Sequence, residues 1–392
     1  MPFADLRHAM LWHARRMPER AVEHGLPPRV LGWRWRVRER LEAHLARQPA
    51  GTDAEVVRAP MRVQFPLPRN VASRAALDRD GALWGYAMHD VPDRAVAPTL
   101  IAQISDAELL FLATPGKGDF FPALVAADGT SVESREIAHR PGHAAQAAML
   151  AEGRVQAFSH ATWIMERAYH NHSHWLTAHL PKLLLLKERG TLGEVLMPQR
   201  RTRAMDESMA MLGIDPAGLR SFDAALPVTA ETLTLVTTDR FDPRHMQAVR
   251  AAFAGSASGP ANRRIFISRE KSRGRRITNE AGLWAVLEKR GFEKVFMEDL
   301  AFPDQVRMMQ QTRILLAPHG AGLTNMLFCP AGGHVVELAD PGFPNPNFYN
   351  LASSLDLAYW LLHARAGEAA HPLDRDLTVD VAGVEAVLER IG

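Results

Sequence analysis

Residues 315–340, LLAPHGAGLTNMLFCPAGGHVVELAD, read as two apolar strands with a turn of small and polar residues after the first. A chain breaks an apolar run in this way where its backbone must come close to something. In a parallel sheet the carboxyl end of a strand meets the amino end of the next helix, and ligands settle in that crevice. Small residues permit close approach there, and the amide N–H groups of Gly320, Ala321, Gly322 and Leu323 can point at an anion. The turn therefore predicts a phosphate site. His319, at the strand end, is a titratable group that is costly to bury unless it has a partner or a task.

The flanking sequence supports a parallel sheet. TLTLVTT, RRIFISR, EKVFMED, RILLAPHG, HVVELAD and DLAYWLL read as strands, and NEAGLWAVLEKRG and FPDQVRMMQQT as helices between them. Strand and helix in alternation give a sheet covered on both faces. Upstream the texture differs. TLIAQISDAELLFLAT and FPALVAADGTSVES, punctuated by Pro, Gly and Asp, read as a β-rich region with tight turns. HWLTAHLPKLLLLKERG reads as a buried helix ending on Gly190, with Pro181 forcing a kink or a restart. The boundary is placed near residue 225, giving domains 1–225 and 226–392.

At 392 residues with 47% hydrophobic and 23% charged content, the chain can bury one or two ordinary cores, and two domains are expected. The net charge of +2 and sparse aromatics exclude a nucleic-acid-binding class. The single cysteine, Cys329, allows no intrachain disulfide, so a reducing cytoplasm is the expected compartment. Neither a signal peptide nor a membrane-spanning run is read from the sequence. Arg34, Arg36, Arg38 and Arg40, interleaved with Trp33 and Trp35, suit an exposed basic face or a peripheral contact with an anionic membrane surface.

His170, His172 and His174 in AYHNHSHW would share one face on a strand and could then hold a metal. At the start of a helix, His172 points away from the other two. The apolar helix that follows favours the second arrangement.

Two blocks together carry a family likeness. Residues 263–340, with ISR, R, NE, HGAGLTN and VVEL in that order, and residues 171–186, NHSHWLTAHLPKLLLL, resemble the characteristic segments of glycosyltransferase family 61. That resemblance implies a GT-B architecture: an α/β protein of two Rossmann-like domains facing a cleft, here with additional β-rich amino-terminal elements. It also implies an inverting transfer of sugar from a nucleotide-sugar, expected to be a UDP-sugar, to a glycan or lipid-linked glycan acceptor, as in capsular or cell-surface polysaccharide synthesis. The run His319, Gly320, Ala321, Gly322, Leu323, Thr324 and Asn325 would cradle the donor diphosphate, and Glu337 would accept hydrogen bonds from a ribose hydroxyl pair.

Arg269, with Arg275 or Arg276, would face the diphosphate as it gains charge. Asn279 and Glu280 open a helix as cap and first-turn acid, with a contribution to the cleft open to them and to Asn171. His174, beside Trp175, would be the general base, with His172 the next candidate. Two positions depart from the family pattern. Ser173 stands where relatives often have an aromatic, and Thr177, Ala178 and His179 replace a common acidic position. No Asp-X-Asp motif is placed at a strand end, so metal-independent activity without a further cofactor is expected. A dinucleotide-dependent oxidoreductase is the rival reading of the alternating half, but the turns lack G-x-G-x-x-G with a following acid. A catalytically idle nucleotide-sugar-binding protein is the other.

Overall fold

The computed structural model describes residues 38–47, 54–77, 87–114, 119–255 and 259–392. Trp33, Arg34, Trp35 and Arg36, and the amino-terminal stretch expected to lack a signal peptide, lie outside the described residues. No helix among the described residues is long and apolar enough to cross a membrane.

The first sheet contains β1 (Arg38–Arg40), β2 (Ala54–Arg58), β3 (Thr99–Thr114), β4 (Asp119–Val125), β5 (Ser131–Glu133), β6 (Gln156–Trp163) and β7 (Val228–Thr237). Their order is β1-β5-β4-β3-β7-β6, with β2 also paired to β3. Only β1 with β5 and β6 with β7 run parallel; the other pairs are antiparallel. The first half is thus a mixed sheet built on hairpins. FPALVAADGTSVES makes the β4–β5 hairpin, with Gly129 at φ 82° in its turn.

A boundary near 225 would give TLTLVTT to the second half. The strand instead pairs with β3 from Val228 opposite Leu109 to Thr237 opposite Leu100, and with β6 alongside. Alternation shows that a strand has one buried face, but not which sheet it joins. The first sheet therefore continues to Thr237.

Helix α1, residues 172–188, starts as a short α-turn at His172–His174, widens into a π-turn at Trp175–His179 and resumes as Leu180–Glu188. The N–H of Leu180 reaches back five residues to the Trp175 carbonyl. Pro181 has no N–H to donate and its ring crowds the carbonyl four residues earlier, so the wider turn keeps the helix continuous. Gly190, at φ 71°, ends it. Helices α2 (Arg203–Met211) and α3 (Pro243–Ala252) follow.

The second sheet is all parallel: β8 (Arg263–Ile267), β9 (Phe292–Val295), β10 (Thr312–Pro318), β11 (His334–Ala339) and β12 (Ala358–His363), in the order β9-β8-β10-β11-β12. Its central strands β8, β10 and β11 are buried on both faces over most of their length. Phe266, Ile314, Leu316 and Val336 pack beneath α4 (Glu280–Lys289) and α7 (Val381–Ile391). Ile265, Leu315, Ala317 and Val335 turn the other way, into a cluster with α3, α5 (Phe302–Gln310) and α6 (Asn347–Ser354) that continues into the first sheet. That shared core fixes the carboxyl ends of the parallel strands beside the amino end of α1.

Candidate active site

Numbered along the chain, the second sheet has strand order 2-1-3-4-5. The connections after β8 and β10 leave in opposite directions, and a crevice opens between the ends of these two strands. It holds about 330 Å³ of empty space, part of it open to solvent, with Ser268, Arg269 and Ser272, Gly320 and Gly322, and Met297 and Glu298 among the residues that line it.

Arg269 donates from Nε and Nη2 to the Gly274 carbonyl, at 3.1 and 3.0 Å. Burial lowers its pKa, against which Glu298 acts. Arg275 sits in the left-handed region at φ 59°, which for a non-glycine residue costs about 1–2 kcal/mol. Its Nε is buried without a hydrogen-bond partner. Burial and the neighbouring Arg269 charge push its pKa down to about 10, while Glu337 and Asp374 oppose that fall. Arg276 faces outward instead and is held by the Asp376 carboxylate, with Nη2 at 2.7 Å. Of the two adjacent arginines, the fold turns Arg275 inward.

This arginine loop is moored to the segment around residues 373–379. A Cβ on Gly274 would lie 2.5 Å from the Leu373 carbonyl oxygen. Leu377 donates to the Arg276 carbonyl and accepts from the Thr278 amide, each at 2.8 Å. Asn279 belongs to the same mooring: its Nδ2 donates to the Val379 carbonyl at 2.8 Å and its Oδ1 accepts from the Val379 amide at 3.0 Å, so its side chain does not cap α4. Glu280 is buried behind the crevice, accepting from Ser268 Oγ at 2.8 Å and Lys294 Nζ at 2.6 Å.

The turn after β10 is a 3₁₀ helix, Ala321–Phe328, rather than an α-helix. The Leu323 amide donates to the Gly320 carbonyl at 2.9 Å, so it is engaged within the turn. Gly320 has extended backbone, φ −179°, and is needed for space. A Cβ there would lie 2.4 Å from Arg269 Nη1. Thr324 is buried with its hydroxyl unpartnered, whereas Asn325 is fully engaged.

His319 and Glu337 meet across neighbouring strands. His319 Nδ1 donates to Glu337 Oε1 at 2.5 Å, and the Tyr359 hydroxyl donates to Oε2 at 2.6 Å. Glu337 is wholly buried and both its oxygens are occupied, so it braces His319 instead of facing a ribose as expected from the sequence. With Nδ1 holding the proton, Nε2 is the ring's acceptor.

The amino end of α1 abuts the 3₁₀ helix. Asn171 caps α1, accepting from the Ser173 and His174 amides at 2.9 and 3.3 Å. Gln305 donates to the Met297 and Leu300 carbonyls, which can only accept. Its oxygen must therefore accept from Asn325 Nδ2, and Asn325 Oδ1 must accept from His172 Nε2 at 2.9 Å. The relay fixes the His172 tautomer. Burial lowers the His172 pKa, opposed by this hydrogen bond.

Arg240, from the loop after β7, donates to Thr177 Oγ1 at 2.8 Å and Ser173 Oγ at 2.9 Å. The two departures from the family pattern thus hold a buried guanidinium through neutral hydroxyls. Burial, then the charges of Arg240, His179 and Arg167, push the His174 pKa down to about 2, against Glu166. His179 donates from Nδ1 to the His174 carbonyl and accepts at Nε2 from the Glu166 amide, so both ring atoms are used in the neutral form. Burial and Lys182 push its pKa to about 3. Glu166 is itself held at about 2, since Lys182 and Arg135 outweigh the cost of burial. Arg240 carried no sequence signal beyond following a strand.

Among the described residues no group of three His, Cys, Asp or Glu side chains could hold a metal ion. The sequence profile of Glycosyltransferase 61 matches residues 172–336, which contain α1, Arg240, the arginine loop and the His319 turn. The chain is similar to protein O-linked-mannose beta-1,4-N-acetylglucosaminyltransferase 2 of Bos taurus, 38% identical over 24% of this chain and 16% of that protein. It is also similar to the EGF domain-specific O-linked N-acetylglucosamine transferase of Drosophila melanogaster, 37% identical over 21% of this chain and 16% of that one. Beta-1,2-xylosyltransferase XAX1 of Oryza sativa subsp. japonica is 32% identical over 32% of this chain and 23% of its own length. The matched part therefore spans less than a quarter of each of these relatives.

Proposed function

We propose that this chain, whose residues 172–336 belong to glycosyltransferase family 61, moves a sugar from a nucleotide-sugar to a glycan hydroxyl with inversion and without a metal. The donor in this reading is a UDP-sugar, and the acceptor a free or lipid-linked glycan such as a growing cell-surface or capsular polysaccharide. The two halves are read as GT-B-like, with the second sheet on the donor side and the α1 wall on the acceptor side.

One observation carries the reading. Arg269 lines the crevice at the parallel strand ends, Arg275 is turned inward close enough for the Arg269 charge to lower its pKa, and neither guanidinium forms an ion pair among the described residues. A diphosphate supplies the missing negative charge, and gains more of it as the sugar–phosphate bond breaks. The binding is therefore stronger in the transition state than in the ground state.

A general base works best with a pKa near the working pH. Burial and the neighbouring Arg240 charge hold the His174 pKa down to about 2. His319 has a carboxylate behind Nδ1 and an acceptor at Nε2. We assign the acceptor proton to His319 Nε2, with Glu337 stabilising the imidazolium formed, and assign His174 to holding the acceptor. The acceptor oxygen bonds to the anomeric carbon as the bond to the diphosphate breaks.

Thermal unfolding against UDP, GDP, CMP, NADH and UDP-sugars, with and without chelator, tests the reading. A ligand at a hundred times its Kd adds about 2.7 kcal/mol to the native state. Stabilisation by UDP and one UDP-sugar, unchanged by chelator, followed by sugar transfer to a glycan, is expected. Stabilisation by NADH alone would favour the oxidoreductase, while donor binding without turnover on any glycan would leave an idle binding protein. Loss of turnover in His174→Asn with full turnover in His319→Asn would return the base role to His174.

A further inference from the structure

At one edge of the first sheet three neighbouring segments run the same way. Strands β7 and β6 pair in parallel, with Leu235 opposite Trp163. Thr162 of β6 bridges in parallel to Val195, just before the short strand Leu196–Pro198. Their carboxyl ends therefore reach the same edge, and each is soon followed by an arginine: Arg240 after β7, Arg167 after β6 and Arg200 after Leu196–Pro198.

The acids that sit next to these arginines in the chain are already engaged. Glu166 is held by Lys182 and Arg135, and Asp239 by Arg94. Arg201, the neighbour of Arg200, pairs with Asp206. Arg240 donates to the hydroxyls of Thr177 and Ser173, which carry no charge. Arg167 lies over the Phe121 ring, 5.0 Å from its centroid, with Arg140 at 4.0 Å from the same ring. Arg167 and Arg200 are exposed, and neither forms an ion pair among the described residues.

The positive charge is felt at the start of α1. Besides burial, Arg240 and Arg167 are among the charges that depress the His174 pKa, and the Arg200 charge opposes the rise that burial causes in Tyr169. Charges of one sign gathered at one edge repel one another and raise the local concentration of a ligand of the opposite sign. A guanidinium fork matches the two oxygens of a carboxylate or phosphate. Resting on the glycosyltransferase reading above, we infer that the acceptor is an acidic glycan, whose anionic group, a carboxylate or a phosphate, is bound by Arg167 and Arg200 beside the hydroxyl that His174 holds. The donor diphosphate and the acceptor anion then occupy the strand ends of different sheets.

Calorimetric titration of the full chain with UDP present tests this, using oligogalacturonate, a hyaluronan oligosaccharide and a phosphodiester-linked mannose oligomer. Each is paired with its neutral counterpart, carboxyl-reduced or dephosphorylated. An acidic probe should bind about tenfold or more tighter than its counterpart, the scale set by a hydrogen bond to a charged group. Arg167→Gln and Arg200→Gln should each weaken that probe about tenfold while leaving its counterpart and UDP unchanged. The uronate and phosphate probes together identify which anion is taken. Arg154→Gln, which removes an exposed cation that pairs with Glu152, is the control and should change nothing. Acidic probes that bind no tighter than neutral ones, or not at all, would overturn the inference, and so would undiminished affinity in both variants or an equal loss in Arg154→Gln. With UDP still bound, each of these results leaves the transferase reading intact. Failure of UDP, GDP, CDP and ADP to bind would remove that reading and, with it, the acceptor role of this edge.

Discussion

Replacing Arg275 with glycine should make the protein more stable and less able to bind its donor. The left-handed backbone at φ 59° costs an arginine about 1–2 kcal/mol that glycine avoids. Glycine gives back about 0.5–1 kcal/mol through the freedom of its unfolded chain. No ion pair is lost, a buried unpartnered Nε disappears, and Arg269 is relieved of a like charge. The net gain is about 0.5–1 kcal/mol, a rise of about one or two degrees in Tm for a chain of this size. The missing charged hydrogen bond to a phosphate should cost about 1.5–3 kcal/mol, a UDP Kd about 10- to 150-fold weaker. Urea unfolding and calorimetry on the same preparation read both quantities, with Arg276→Gly as the outward-facing control whose UDP affinity should not move. Unchanged UDP affinity in Arg275→Gly would refute the anion site. Destabilisation by several kcal/mol would show that the guanidinium supports the fold.

Other consequences follow from the same geometry. Gly320→Ala should push the Arg269 guanidinium aside and weaken UDP binding about tenfold; undiminished affinity would mean that Arg269 makes no donor contact. Glu337→Gln places an amide N–H against either the His319 or the Tyr359 donor. It should lower kcat much more than UDP affinity and cost about 1–3 kcal/mol, and an unaltered kcat would remove His319 from the proton transfer. His179 is fully buried and its folded pKa of about 3 lies below the unfolded value of about 6.5. Its contribution is complete above about pH 6.5 and is lost as pH falls toward 3. The loss should be about 2 kcal/mol at pH 5, read as the part of the wild-type acid destabilisation that is absent in His179→Gln.

The parallel sheet was legible because its strands are short apolar runs bounded by turn residues, and the order of strands and helices left few topologies. Pro181 announced an irregularity but not its form, since a kink, a restart and a π-turn all accommodate a missing N–H. The site was legible as a location more than as a set of roles. Arg275 and Arg276 are adjacent and chemically identical, and only the left-handed turn at the first sends one inward. Glu337 looked like a ribose ligand because its brace, Tyr359, lies 22 residues further on in another strand. Ser173 and Thr177 looked like lost functional positions until Arg240, more than sixty residues away, was seen between them. Pairings of this kind depend on tertiary placement, which local pattern does not encode.

The mooring of the arginine loop has a consequence for how the protein is made. The five parallel strands are complete once residue 363 has been synthesised, but the backbone that packs closely on Gly274 belongs to Leu373, and the backbone groups that bond to Arg276 and Asn279 belong to Leu377 and Val379. During vectorial synthesis, where earlier parts of a chain fold first, the sheet can form on the ribosome while the loop carrying the two guanidinium groups still lacks its anchor. If the loop grips a donor as proposed, that grip is thereby timed to the last part of the described chain, and an incompletely synthesised protein has the scaffold without it.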